Sequence, residues 1–250
     1  MTERKAKGAG AGPSSTSKKP GAADRAAAWR DIVARSAHAM CDKGLTWGKD
    51  AGDSSVRDPA TGLIYILPKP SERLPIPSWD VITAEHIAVV DIDGKTIGSS
   101  DLEPTVELLT HLRIYQNRPE VNAVVHSHGR WSRVYAGLRQ PIPALMIDSF
   151  LYTGATPIRC TVFGEIGSDE VAMSAVECMG ERGKAALLAA HGAVCVGASM
   201  DEAMDVAEIT EDMARIAIFS SMAGTPVPIG IDDFIDREKA RKDLLDFYEI

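Results

Sequence analysis

Two short apolar runs in this chain end in histidine, and nothing else in it constrains the fold as much. Val121–Val125 leads into His126-Ser127-His128, and Ala185–Ala190 leads into His191-Gly192. Runs of this length and texture read as buried strands. Side chains alternate along a strand, so His126 and His128 point the same way and both can offer a ring nitrogen to one point. That suits a divalent ion, which takes three or four N/O ligands at about 2.0–2.2 Å and, in catalytic sites, keeps one position open. Two histidines do not complete such a site. His191 is the third candidate, and Gly192 after it lets another group approach the backbone closely. Glu107, just behind the Pro104-Thr105 helix start, is the carboxylate in reach. Taken singly, each piece has a plainer reading: His126-x-His128 or His191 as hydrogen-bonded core residues, Glu107 as a solvated helix residue. His38, His86 and His111 read as surface polar, loop and helix-supporting residues.

Around these runs the pattern is mixed α and β. Residues 24–44 carry Trp29, Ile32, Val33 and Ala37 on one helical face, and Gly44 sits where a helix would stop. Leu63–Leu67 and Ile87–Asp91 read as strands, with Asp93-Gly94 as a tight turn. Thr105–Asn117 and Ser168–Met179 read as helices. The clearest helix is 200–221, opened by a Ser199/Glu202 capping box and lined on one face by Ala203, Val206, Ala207, Thr210, Met213, Ala214, Ala217 and Ile218. Residues 1–23 are rich in Gly, Ser, Pro, Ala and Lys with almost nothing to bury, so they are expected to be a disordered tail. The rest, 24–250, is expected to be one α/β domain, a mostly antiparallel sheet flanked by helices.

Composition narrows the partners. With 27 basic against 35 acidic residues the net charge is -8, and a broadly acidic protein repels nucleic acids and anionic membranes. A small-molecule substrate is the expected partner. Cys41, Cys160, Cys178 and Cys195 include no C-x-x-C pair, so neither a zinc ribbon nor a disulfide framework is indicated and a cytoplasmic location is expected. The first residues lack a secretory apolar stretch, and no run reaches the roughly 18 apolar residues of a membrane span.

Taken in order, Glu107, His126-Ser-His128 and His191-Gly192 resemble the class II aldolase/adducin family, which includes fuculose-phosphate aldolase and ribulose-phosphate 4-epimerase. Gly52-Asp-Ser-Ser-Val-Arg57 resembles its G-N-x-S-x-R, and Val125-His-Ser-His-Gly-Arg130 its V-H-T-H-S-R. Pro141-Ile-Pro-Ala144 resembles its I-P-A turn, and Leu187-Leu-Ala-Ala-His-Gly-Ala-Val194 its L-L-x-N-H-G-x-x. The resemblance spans about residues 25–228. It implies the family's three-layer α/β fold and a divalent ion, usually zinc, with Mn, Fe or Co as alternatives, held by His126, His128 and His191. It also implies that Glu107 acts as ligand or proton-transfer base, and that the ion stabilises an enediolate-like carbanion. A tetramer with sites between subunits follows from the same resemblance, with Asp148 or Tyr152 as the local candidates for an acid reaching a neighbour's site. Tyr248 is a further candidate near the C-terminus.

Three phosphate-binding stretches of the family are altered. Asp53 stands for asparagine, Lys69-Pro-Ser71-Glu72 lacks the glycine, and Thr105-Val106 replaces Ser-Ser. Carboxylates beside a phosphate dianion add like-charge repulsion. The residues expected to meet substrate are Asp53, Arg57, Lys69, Ser71, Thr105 and Arg130, with Arg73 a further nearby cation. The expected activity is metal-dependent carbon–carbon cleavage of aldolase type. The alternatives are decarboxylation of a dihydroxy-aromatic carboxylate, sugar-phosphate 4-epimerisation, which would call for aspartate at 107, and a non-catalytic adducin-like module.

Overall fold

The structure is a computed structural model that describes residues 21–48, 50–69, 76–98, 102–154 and 157–230. Among these residues six strands form one sheet: β1 (Asp53–Arg57), β2 (Ile64–Ile66), β3 (Ala88–Val90), β4 (Ala123–Ser127), β5 (Ala185–Leu188) and β6 (Gly192–Gly197). Their spatial order is β3-β2-β1-β4-β6-β5, and every neighbouring pair is antiparallel. Among the described residues six α-helices accompany them: α1 (Ala22–Asp42), α2 (Leu108–Asn117), α3 (Ser132–Leu138), α4 (Ile147–Thr153), α5 (Asp169–Met179) and α6 (Met200–Ala223). No helix among the described residues is long and apolar enough to cross a membrane.

Strand alternation sorts the side chains into two cores. On one face Val56, Tyr65, Ala123, Val125, Ala193 and Cys195 pack under α1, α3 and α6. On the other, Ile64, Ile66, Val124, Val194 and Val196 pack under α2 and α5. The result is three layers, helices over both faces of an antiparallel sheet. The same alternation divides the polar start of β1. Ser54 turns toward α1 and meets Ser36 Oγ at 2.7 Å, while Asp53 and Ser55 turn toward α2.

Several elements differ from the sequence reading. Helix α1 begins at Ala22, inside the stretch expected to be tail, and the rest of that stretch lies outside the described residues. Helix α2 starts three residues later than Thr105, because the Thr105 side chain takes the Glu107 N–H at 3.2 Å and holds a turn there. Strand β5 ends at Leu188, two residues short, where the chain bends through Ala190 in the left-handed region, φ 57°. The short helices α3 and α4 and the strand Gly192–Gly197 have no clear periodic signal. At the head of α6, Ser199 Oγ accepts Glu202 N–H at 3.3 Å as expected. The Glu202 carboxylate reaches past the cap to Ala198 N–H at 2.6 Å and also binds Lys184.

Candidate metal centre

The central pairing of the sheet assembles the site. In the β4/β6 ladder His126 stands opposite Val194 and Ser127 opposite Ala193, which brings the turn carrying His191 beside the end of β4. The three rings form a nearly equilateral triangle, with centroids 4.8, 4.7 and 4.8 Å apart. His126 Nε2 and His128 Nε2 are 3.0 Å apart. Two ligands of a tetrahedral ion with bonds near 2.05 Å are separated by roughly 3.3 Å, so this spacing fits. His126 Nδ1 donates to the Ala193 carbonyl at 3.0 Å, which leaves its Nε2 lone pair facing the centre, the usual way a backbone acceptor fixes a ligating ring. Burial, reinforced by the neighbouring rings, takes His128 down to about 3 and His191 down to about 4. Both rings are therefore neutral at physiological pH, the form that binds metal.

Backbone fit holds the rings together. A Cβ on Gly192 would sit 2.3 Å from the Ser127 carbonyl oxygen and 3.1 Å from the His126 ring, so β6 reaches β4 only with glycine there. On the other side of His128, its N–H donates to the Leu45 carbonyl at 2.7 Å. Glu211 of α6 then accepts the N–H groups of Trp131 and Ser132, both at 2.8 Å, and so caps α3 from outside. Its carboxylate lies against Gly129, where a Cβ would fall 2.1 Å from Glu211 Cδ.

Glu107 is the carboxylate beside the rings. It is 2% exposed. Oε2 accepts the Thr110 hydroxyl proton at 3.0 Å, while Oε1, buried and with no hydrogen-bond partner among the described residues, lies 3.5 Å from His191 Nδ1. A buried carboxylate oxygen left without a donor costs about 1–3 kcal/mol or more. Three converging imidazoles with such an oxygen alongside fit a divalent ion. The converging group consists of the three histidines; Glu107 flanks it at His191.

A cavity of about 230 Å³ opens over this centre, lined by the three histidines with Asp53, Lys69, Trp79, Thr105 and Glu107 among others. Lys69 ion-pairs with Glu103 at 2.6 Å on the cavity rim. Thr105 and Asp53 form part of the wall, where Thr105 Oγ1 donates to Asp53 Oδ2 at 2.5 Å and His111 Nε2 donates to Oδ1 at 2.7 Å. Burial alone would raise the Asp53 carboxyl; the His111 charge and hydrogen bond, with smaller help from His126 and Thr105, overcome it and bring the group down to about 2. His111, expected only to support a helix, is thus fully buried behind Asp53. Its sole sequence signal is its spacing of four from Glu107.

Two expected substrate contacts are corrected. Arg57 sends its guanidinium to the carbonyls of Tyr115, Pro119 and Val121 and to Asn122 Oδ1, and it stacks on the Tyr115 ring at 5.1 Å. It locks the α2–β4 connection, because a rigid fork of donors is well matched to several carbonyls at once. Arg130 lines a separate cavity with Glu208, Glu211 and Asp212 and is not in the lining of the one over the rings. Asp148 and Tyr152 lie on α4 and do not line the cavity over the histidines; Tyr152 is 43% exposed. Ser71, Glu72, Arg73 and Tyr248 lie outside the described residues.

Known proteins resemble this chain in sequence and in fold. The chain is 31% identical over 198 residues to 5-deoxy-D-ribulose 1-phosphate aldolase of Bacillus thuringiensis, covering 79% of this chain and 87% of that protein. It is 30% identical over 198 residues to L-fuculose phosphate aldolase of Escherichia coli, covering 78% and 85%. A solved structure of L-fuculose 1-phosphate aldolase superposes with a TM-score of 0.76 at 26% identity, over 86% of this chain and 96% of that one. With residues 31–218 matching the family described as Class II Aldolase and Adducin N-terminal domain, the chain belongs to the class II aldolase/adducin family.

Proposed function

We propose that this chain is a divalent-metal-dependent carbon–carbon lyase, cleaving a hydroxy-carbonyl substrate by retro-aldol chemistry. The observation that carries it is the triangle of imidazoles with the buried Glu107 oxygen, unpartnered among the described residues, beside it. His126, His128 and His191 hold the ion, with zinc first and Mn, Fe or Co as alternatives, since histidine nitrogens accept all four. When bound, the ion polarises the substrate carbonyl and offsets the negative charge that develops next to it. Glu107 Oε1 moves the proton: it lies at the cavity wall, while Oε2 is anchored by Thr110 and keeps the carboxylate from rotating away. Trp79 and Pro68 close the cavity with buried apolar surface and keep bulk water from the reacting carbon.

Decarboxylation of a dihydroxy-aromatic acid is a second reading. It is supported by Lys69, the basic side chain that lines the cavity among the described residues, which could anchor a carboxylate. Epimerisation ranks lower because Glu107 stands where aspartate is expected, and a non-catalytic module has no use for three converging rings. Residues 24–250 are read as one catalytic domain, acting as a homo-oligomer, a tetramer by family resemblance. The outer face of α4 supports this, since Met146, Ile147, Leu151 and Tyr152 are all exposed there and would be covered by a neighbour. That contact would bring Asp148 or Tyr152 to the next subunit's cavity. Free thiols at Cys160, Cys178 and Cys195 agree with a cytoplasmic setting.

The test is metal-loaded protein offered a panel of hydroxy-ketoses, sugar phosphates and dihydroxy-aromatic acids, with aldehyde and carbon dioxide release followed in parallel. Metal-dependent aldehyde from any member supports the retro-aldol reading. Carbon dioxide release would replace it with the second reading. Glu107→Gln is expected to bind metal like the parent and to lose turnover; full activity in that variant would remove Glu107 from the mechanism.

A further inference from the structure

Asp53 lies on the wall of the cavity, yet both of its oxygens face into the protein. Oδ2 takes the Thr105 proton and Oδ1 the His111 Nε2 proton. Behind them the chain continues through His111 Nδ1 to Ser55 Oγ at 2.7 Å, and on to the Tyr115 hydroxyl at 2.7 Å, which also reaches the Ser55 carbonyl at 3.1 Å. All five side chains are buried. A carboxylate only accepts, so the proton positions are forced. Thr105 Oγ–H and His111 Nε2–H both point at Asp53. Thr105 Oγ1 meanwhile accepts the Glu107 N–H. Its single proton is therefore committed inward, and toward the cavity it has only lone-pair capacity.

We propose that the Asp53–Thr105 pair makes this wall of the cavity acceptor-only, so that the substrate arm lying on it is a hydrogen-bond donor, the hydroxyls of an unphosphorylated polyhydroxy chain. The inference rests on the reading of this cavity as the substrate pocket. A phosphate dianion brings acceptors alone and meets a fixed negative charge, whereas a hydroxyl meets a partner it can donate to. One atom reverses the polarity. With asparagine at 53, Oδ1 accepts from His111, Nδ2 donates to Thr105 Oγ1, and the Thr105 proton turns into the cavity.

The experiment compares dihydroxyacetone with its monophosphate as ligands of the zinc-loaded full chain by calorimetry, in the parent and in Asp53→Asn. The parent is expected to bind the free ketone about tenfold more tightly than the ester, and the variant to shift that ratio toward the ester by about tenfold or more. Tighter binding of the ester by the parent overturns the proposal, as does an unchanged ratio in a folded variant. Should Asp53→Asn fail to fold, Thr105→Ala retains the Asp53 charge without the hydroxyl. It is expected to keep the preference for the free ketone, and a switch to the ester would overturn the proposal. Binding is read without turnover, so the two readings fail separately. A parent that prefers the ester yet cleaves substrate sinks only the assignment of the wall, and a zinc-loaded parent that binds neither ketone overturns the pocket reading and this inference together.

Discussion

Replacing Gly129 by alanine probes how the loop after His128 is held, and the structure supplies the magnitude. The new Cβ would lie 2.1 Å from Glu211 Cδ and 2.2 Å from its Oε1, so the carboxylate has to leave. Leaving breaks two charge-assisted hydrogen bonds to Trp131 and Ser132 N–H, each 2.8 Å long. Such bonds contribute about 1.5–3 kcal/mol when buried, and helix caps about 1 kcal/mol when exposed. For this half-buried carboxylate a loss of about 2–3 kcal/mol follows. Glu211→Ala should cost the same, since it removes the same two bonds. The double variant should cost no more than either single one, because the three atoms that crowd the alanine at 129, Cγ, Cδ and Oε1 of Glu211, are then gone. The coupling energy is therefore about 2 kcal/mol, well above the few tenths seen between independent sites. Urea unfolding of the parent, both single variants and the double variant measures it, and additive losses would refute the argument. Zinc affinity by chelator competition should follow the same pattern, because His128 borders the loop that Glu211 pins.

Further outcomes follow from the same geometry. His126→Ala and His191→Ala are each expected to lose bound metal and turnover while keeping the parent's circular dichroism; retained metal in either would displace that ring from the site. Ala190 holds a left-handed conformation, φ 57°, that asparagine tolerates better than alanine, so Ala190→Asn should raise stability by about 0.5–1 kcal/mol, and a lower melting temperature would count against the strain. Asp53 titrates at about 2 in the folded chain against its ordinary 3.8. The depressed folded value means its contribution, about 2 kcal/mol, is fully present above pH 4 and is lost as pH falls through 2. Urea midpoints at pH 5 and pH 2.5 should therefore differ less in Asp53→Asn than in the parent. Burial pushes the Cys195 thiol up to about 12, so the native protein should leave Cys195 unalkylated by iodoacetamide at pH 8 while urea exposes it. Ready native labelling of that peptide would show the core is open there.

Much of the fold could be read from local pattern. Helix α6 combines an apolar stripe with a Ser199/Glu202 cap, and β4 is a continuous apolar run, so each carries its own signal within a few residues. Helices α3 and α4 carry none. Each is seven residues long, too short for periodicity to show, and α3 begins on a cap supplied by Glu211 from far along the chain. The site divides in the same way. The histidines were visible because they end apolar runs and because their order matches a family. Arg57 and Arg130 were misread because charge and proximity in sequence do not say where a guanidinium points; Arg57 is taken up by four oxygens of the α2–β4 connection.

What the sequence determined by itself is therefore what depends on near neighbours: the alternation that puts His126 and His128 on one side, the helix caps, the apolar faces and the family. Tertiary structure decided what depends on residues far apart in the chain. The β4/β6 register sets the distance of His191 from His126, and the packing of α2 on β1 delivers His111 to Asp53. Whether Thr105 faces a substrate as a donor or an acceptor is decided there too. A hydroxyl has one proton, and only the folded chain shows that it is donated to Asp53.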